Sequence, residues 1–317
     1  MTAPHERRRR RKILGSCAVL AVALLAGCGG GDDDDAPPAA TDRAPAKPVS
    51  FPITATAEGP AKRAMTFPSS VRSGLVTMTL RNSDTVPRSA QLLRIVGEHS
   101  LDEVVDVVTA DGEEIPAWVQ DGGGVPAVEP GGTGTAAQVL APGRYVLVDD
   151  EEAEGEGEGE AARTHAELGA VGEFTVTGER ARAGLPAVPA TITATDAETP
   201  DGKKTYGFRL EGLKAGPNQV HFQNTGAELH HALFAPLRKG ATLAQAEQLL
   251  TSSRTPSGPP PIDFSGIVGT KVIDAGVEQN IALDLPAGRY AVICFVSDRE
   301  GGKPHVEKGM IEEVTVE

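Results

Sequence analysis

L-P-A-G-R-Y-A-V-I-C, from Leu285 to Cys294, has a near copy earlier in the chain, L-A-P-G-R-Y-V-L-V-D from Leu140 to Asp149. Each is a turn of Pro, Ala and Gly followed by an aromatic and β-branched run, the pattern of a strand entered from a tight turn. Tyr145 falls on Tyr290 and Asp149 on Cys294, both at an offset of 145. A match at fixed offset marks an internal repeat.

The flanking sequence extends it. L-R-N-S-D-T-V-P-R-S-A-Q-L-L from Leu80 matches F-Q-N-T-G-A-E-L-H-H-A-L-F-A from Phe222, which places Asn82 on Asn224 and Arg88 on His230 at an offset of 142. H-A-E-L-G-A from His165 matches H-V-E-K-G-M from His305, which places Ala170 on Met310 at 140. Between these blocks, Ser100 with Glu103 and Thr242 with Gln245 form capping-box patterns, so each copy is predicted to carry one short helix. Leu75–Leu80, Gln219–Gln223, Asn280–Leu285 and Glu312–Val316 read as strands bounded by turn residues. The fold class is therefore all-β: two antiparallel sandwiches of about 130 residues. The first covers residues 51–178 and the second 190–317, with a Gly, Pro and Ala-rich join at 179–189. The E-E-A-E-G-E-G-E-G-E run, Glu151–Glu160, reads as a solvated loop. Its carboxylates lack the spaced pattern of a calcium loop.

The N-terminus reads as an export signal over residues 1–27, with a basic run Arg7–Lys12, an apolar run Ile13–Ala23, and Leu25-Ala26-Gly27 ahead of Cys28. That tetrapeptide resembles a bacterial lipobox, which implies lipidation of Cys28, a membrane anchor and an extracytoplasmic location. The apolar run is short for a membrane span, and Arg10-Arg11 is compatible with twin-arginine export. Residues 28–50 read as a flexible tether. The net charge is −14; removal of the first 27 residues, with six Lys/Arg and one Asp/Glu, makes it −19. Such acidity argues against nucleic acid as a partner and allows a basic redox partner protein.

Of three cysteines, Cys17 leaves with the signal and Cys28 is the lipidation site, so Cys294 is the one free thiol. It is either a buried core residue or held by a metal. The stretch Tyr290–Met310 carries Cys294, His305 and Met310. Thiolate, imidazole and thioether make up the ligand set of a mononuclear copper site short of one histidine. His230 and His231 are both candidates, but adjacent strand residues point to opposite faces, so one of them serves. His221 reads as a half-buried strand residue and His99 as a surface residue beside a helix cap.

Phe222-x-Asn224 before His230, Gly288-x-Tyr290 leading to Cys294, and His305-x4-Met310 before Val314-Thr315-Val316 together resemble the cupredoxins, the plastocyanin-like blue copper family. The resemblance covers residues 190–317. It implies a Greek-key sandwich with one copper ion, His230, Cys294 and His305 as equatorial ligands and Met310 as a weak axial one. Asn224 is the candidate for tuning the site from behind the ligands. Cys-x10-His is longer than the family loop, and Asp298, Arg299, Glu300 and Lys303 stand where electron carriers show an apolar patch. The first copy has Arg88, Asp149, His165 and Ala170 at the four positions and is expected to hold no such metal. Single-electron transfer is the functional expectation, with copper sequestration or a metal-free interaction role as alternatives. Cys294 and His305 lack a protease signature, and the seven histidines do not supply a trinuclear copper centre, so the chain is expected not to be an enzyme.

Overall fold

The computed structural model describes residues 47–59, 61–110, 114–153, 163–252 and 258–317. The expected signal, Cys28, the tether as far as residue 46, and most of the Glu151–Glu160 run lie outside the described residues.

The first copy comprises β1 (Val49–Ala57), β2 (Arg63–Thr66), β3 (Ser70–Arg72), β4 (Gly74–Asn82), β5 (Arg88–Ile95), α1 (Leu101–Thr109), β6 (Val119–Val128), β7 (Thr133–Leu140), β8 (Gly143–Val148) and β9 (Val171–Thr177). The second comprises β10 (Ala190–Glu198), β11 (Lys204–Glu211), β12 (Gly216–Asn224), β13 (Leu233–Pro236), α2 (Leu243–Thr251), β14 (Val268–Gly269), β15 (Glu278–Leu285), β16 (Gly288–Ile293) and β17 (Ile311–Val316). The described residues are thus all-β, forming two sandwiches with one short α-helix each. The four expected strands lie within β4, β12, β15 and β17. Both helices start at the expected capping boxes, with the Ser100 and Thr242 hydroxyls accepting the N–H of Glu103 and Gln245.

Alternation decides which side chains face in. Along β12, Asn218, Val220, Phe222 and Asn224 are buried while Gln219, His221 and Gln223 are not, the period of two expected of a strand with one packed face. Phe222 joins Ile192, Phe234, Tyr290, Val292, Cys294 and Met310 in the core between the sheets. The shared Gly-Arg-Tyr motif has a structural cause. Tyr290 Oη donates to the Pro286 carbonyl at 2.6 Å and Tyr145 Oη to the Ala141 carbonyl at 2.9 Å, each tying its strand to the turn before it.

Two features differ from the sequence expectation. The sheets are not wholly antiparallel: β1 runs parallel to β4, β10 to β12, and β3 to β9. Parallel neighbours need a crossover of about a dozen residues or more, and the segments carrying β2 and β11 supply it. The copies are also joined through a sheet. β15 pairs with β7 at Asn280–Ala137 and Ile281–Ala136, giving one eight-stranded sheet of order β11-β10-β12-β15-β7-β4-β1-β2. A five-stranded sheet covers it in the first copy and a four-stranded one in the second.

Candidate metal centre

Three segments meet at one end of the second sandwich. His230 lies in the loop between β12 and β13, held by a two-way backbone pairing with Ile273 (N–O 3.1 and 2.9 Å). Cys294 follows the end of β16, and His305 opens a single 3-10 turn, His305–Lys308. Gly309 closes that turn with φ of +95°, a left-handed conformation suited to glycine, and turns the chain so that the Met310 N–H bonds the His305 carbonyl at 2.9 Å.

Cys294 Sγ lies 3.9 Å from His230 Nδ1 and 3.6 Å from His305 Nδ1, and the two nitrogens are 3.2 Å apart. A triangle with these sides has a centre about 2.1 Å from each corner, close to metal–nitrogen bonds of about 2.0–2.1 Å and metal–sulfur bonds of about 2.3 Å. All three residues, and Met310, are 0% exposed. Among the described residues this is the group of His, Cys and acidic side chains able to share an ion.

The far side of each imidazole is also fixed. His230 Nε2 donates to Asp196 Oδ1 at 3.0 Å and His305 Nε2 to Asp298 Oδ1 at 2.9 Å. An ionised carboxylate only accepts, so each Nε2 carries the hydrogen and each Nδ1 lone pair faces the common centre. Burial lowers the pKa of both histidines, that of His305 to about 4 with His230 adding to the effect, so both are neutral near pH 7. Burial opposes ionisation of Asp196 and Asp298 as well. It is outweighed in Asp196 by the Glu228 N–H and His230, and in Asp298 by Lys308, Tyr206 and His305, so both stay ionised. Burial pushes the Cys294 thiol up to about 12; a metal ion entering here must displace its proton.

His231 points away from the centre, although both histidines lie in the loop between β12 and β13 rather than on a strand. Its Nε2 accepts the Phe295 N–H at 2.8 Å, which fixes the residue beside Cys294. Asn224 donates to the carbonyls of Glu228 (2.7 Å) and Ile273 (3.2 Å), so it shapes the His230 loop rather than touching the sulfur. Asn82 does the same in the first copy, donating to Val86 and Val128. His221 is half-buried on β12 against Asn280, and His99 stacks on Trp118 with ring centroids 3.8 Å apart.

In the sequence Asp196 and Tyr206 are not marked, and Asp298 reads only as one of the charges of the insert. Tyr206 stacks on His305 (centroids 4.4 Å, 24°) and donates to Asp298 Oδ1 at 2.8 Å. Asp298 lies in the long Cys-x10-His insert, whose charges divide: Asp298 and Arg299 are used internally, while Glu300 and Lys303 are exposed. Asp298 faces His305, Arg299 faces the first copy, and Lys303 pairs with Glu307 at 2.8 Å. Gly226 guards the Asp196 contact, since a Cβ there would lie 1.9 Å from Asp196 Oδ1. Gly226→Ala is expected to push Asp196 off His230 and to weaken any metal binding at this centre about 10–100-fold. Competition against a chelator of known affinity checks this.

In the first copy the corresponding positions form an ion cluster. Arg88 Nε donates to Asp149 Oδ2 and Arg88 Nη1 to Asp84 Oδ2 at 2.7 Å, while His165 Nδ1 lies 3.2 Å from Asp149 Oδ2. Arg88, Asp149 and His165 are 0% exposed. The backbone is superposable in its bonding: Ala170 N–H to His165 O at 2.9 Å repeats Met310 to His305, and Ala166 N–H to Asp149 O at 2.8 Å repeats Val306 to Cys294. A guanidinium therefore supplies the positive charge at the place where the second copy has room for a cation.

No protein-family model and no curated protein matches the chain. Similar solved structures include a multicopper oxidase (14% identity, 84% of this chain and 88% of that one, TM-score 0.24). Auracyanin from Roseiflexus castenholzii matches at 21% identity over 41% of this chain and 99% of its own, TM-score 0.25. The copper nitrite reductase of Nitrosomonas europaea matches at 18% identity over 86% and 94%, TM-score 0.24. Likeness at this level assigns no activity. It does correct the expectation that the chain is not an enzyme: an oxidase and a reductase are among the proteins it is similar to, so absence of catalysis does not follow from this architecture.

Proposed function

We propose that this chain is a copper-binding, electron-transferring lipoprotein, with one ion held in the second sandwich by His230, Cys294 and His305 and Met310 as the weak axial ligand. The supporting observation is the triangle of three buried donor atoms, 3.2–3.9 Å on its sides, with both imidazoles locked in the tautomer that aims Nδ1 inward. Thiolate with two imidazoles and a distant thioether is the donor set that favours copper. When bound, copper would supply a one-electron Cu(II)/Cu(I) couple for exchange with a redox partner protein. Asp196, Asp298 and the Ile273 pairing fix the donors from behind, which would let one side-chain geometry serve both states.

Lipidated Cys28 anchors the protein at the outer side of the cytoplasmic membrane, and the acidic surface suits a redox partner protein rather than nucleic acid. Near-stoichiometric Cu(II) added to the purified protein should give an intense visible thiolate-to-copper band, with reversible one-electron cycling by voltammetry. A protein that binds copper tightly but does not cycle would instead be a copper-holding protein. The complete burial of His230, Cys294 and His305 favours that second reading, since no ligand edge meets a partner directly.

A further inference from the structure

Among the described residues, the hydrogen bonds between the Cys294–His305 insert and the other sandwich are made by Arg299. The Arg299 carbonyl accepts the Ile115 N–H at 2.8 Å, and its Nη1 reaches the carbonyls of Ile115 (3.3 Å), Pro116 (3.3 Å) and Val119 (3.0 Å), all in the first copy. Its Nη2 meets Asp274 Oδ2 at 2.6 Å, next to the Ile273 that pairs with the His230 backbone. Its own N–H donates to Glu228 Oε2 at 2.8 Å, two residues before His230. The residue before it is Asp298, whose carboxylate holds His305 Nε2.

We propose that Arg299 is a positioning residue for the metal centre: it pins the Cys294–His305 loop and the His230 loop to the first sandwich, so that Asp298 meets His305 before any metal arrives. A guanidinium suits the task because its planar fork serves several carbonyls and a carboxylate at once. A ten-residue insert left free would have to be ordered when the ion bound, at a conformational cost that lowers affinity. The first copy, with Arg88 where the second has His230, thus contributes to the metal site as the wall against which it is assembled. The proposal rests on the copper reading above, and its test includes a measurement on the metal-free chain.

In the full-length protein, Arg299→Ala is expected to speed amide exchange of residues 297–302 at least tenfold without metal, while β4 keeps wild-type exchange. Loaded with copper, it should lose Cu(I) to a chelator at least tenfold faster, with an altered ratio of visible bands. Arg299→Lys, which can satisfy some of these acceptors but not all, should fall between. Asp274→Asn, which weakens one contact, is expected to shift the same quantities less, and it carries the test if Arg299→Ala does not fold. Wild-type loop exchange in Arg299→Ala overturns the proposal. So does faster exchange with unchanged copper release and spectrum, which would reduce Arg299 to a packing contact between the sandwiches. A wild-type chain that binds no copper instead overturns the copper reading and the metal half of this proposal, and the exchange result then stands as a measure of the latch by itself.

Discussion

Cys294→Ser is expected to abolish the visible thiolate-to-copper band and to weaken Cu(I) binding by at least about 100-fold, more than loss of an outer hydrogen-bonding partner costs. The side chain is 0% exposed and is the one sulfur in the triangle of donors. Serine keeps the shape but offers a hard, protonated oxygen, which Cu(I) disfavours against imidazole and thioether. The fold should survive, because burial already holds the thiol neutral and a hydroxyl of similar size replaces it. A visible titration with copper, read beside a far-ultraviolet spectrum and an unfolding curve, separates loss of ligand from loss of fold. Retention of the band in Cys294→Ser would remove the thiolate from the account.

The second large effect lies in the copy expected to bind no copper. Asp149→Asn is expected to cost about 3–5 kcal/mol of stability, the range for a buried ion pair that loses one partner, while copper binding is unchanged. Asp149 accepts from Arg88, from the Ser89 N–H at 3.1 Å and from His165. Without its charge, the Arg88 guanidinium remains 0% exposed with Asp84 as its remaining anion among the contacts described above. The pH dependence has a definite sign. Burial pushes the Asp149 pKa up, but hydrogen bonds from His165 and Arg88 outweigh it and leave it below the usual 3.8. A depressed carboxylate contributes its full stability above the ordinary carboxylate range and loses it as pH falls through the lowered folded value. The stability gap between wild type and Asp149→Asn should be constant near neutrality and close as pH drops below about 4. Urea unfolding across that range measures it; a gap that widened on acidification would contradict the ion-cluster assignment.

Much of this architecture is legible in the sequence because the repeat is. The Gly-Arg-Tyr turns, the two capping boxes and the paired Asn82 and Asn224 are local devices whose residue types state their geometry. The same alignment sets Arg88, Asp149 and His165 opposite His230, Cys294 and His305, while the grouping of those three as ligands comes from the resemblance to the cupredoxins. The carboxylates behind the histidines are less visible. Asp196 sits on β10 and Asp298 in an insert, and nothing local distinguishes an inward-facing Asp from a solvated one. One signal was available for the first copy: Arg88 and Asp149 occupy equivalent positions with opposite charges, and opposite charges aligned on a buried site imply a pair. The sheet shared by β15 and β7 has no local sequence signature, since edge-to-edge pairing depends on how the copies meet rather than on the period of either strand.

His230, Cys294 and His305 are proposed to hold one copper ion. X-ray absorption at the copper edge, on the desalted protein loaded with one equivalent, tests it most directly. The expected result is a retained ion with two nitrogen scatterers and one sulfur in its inner coordination sphere, the sulfur vanishing in Cys294→Ser. Copper lost on desalting, or a sphere of nitrogen and oxygen alone, would contradict it.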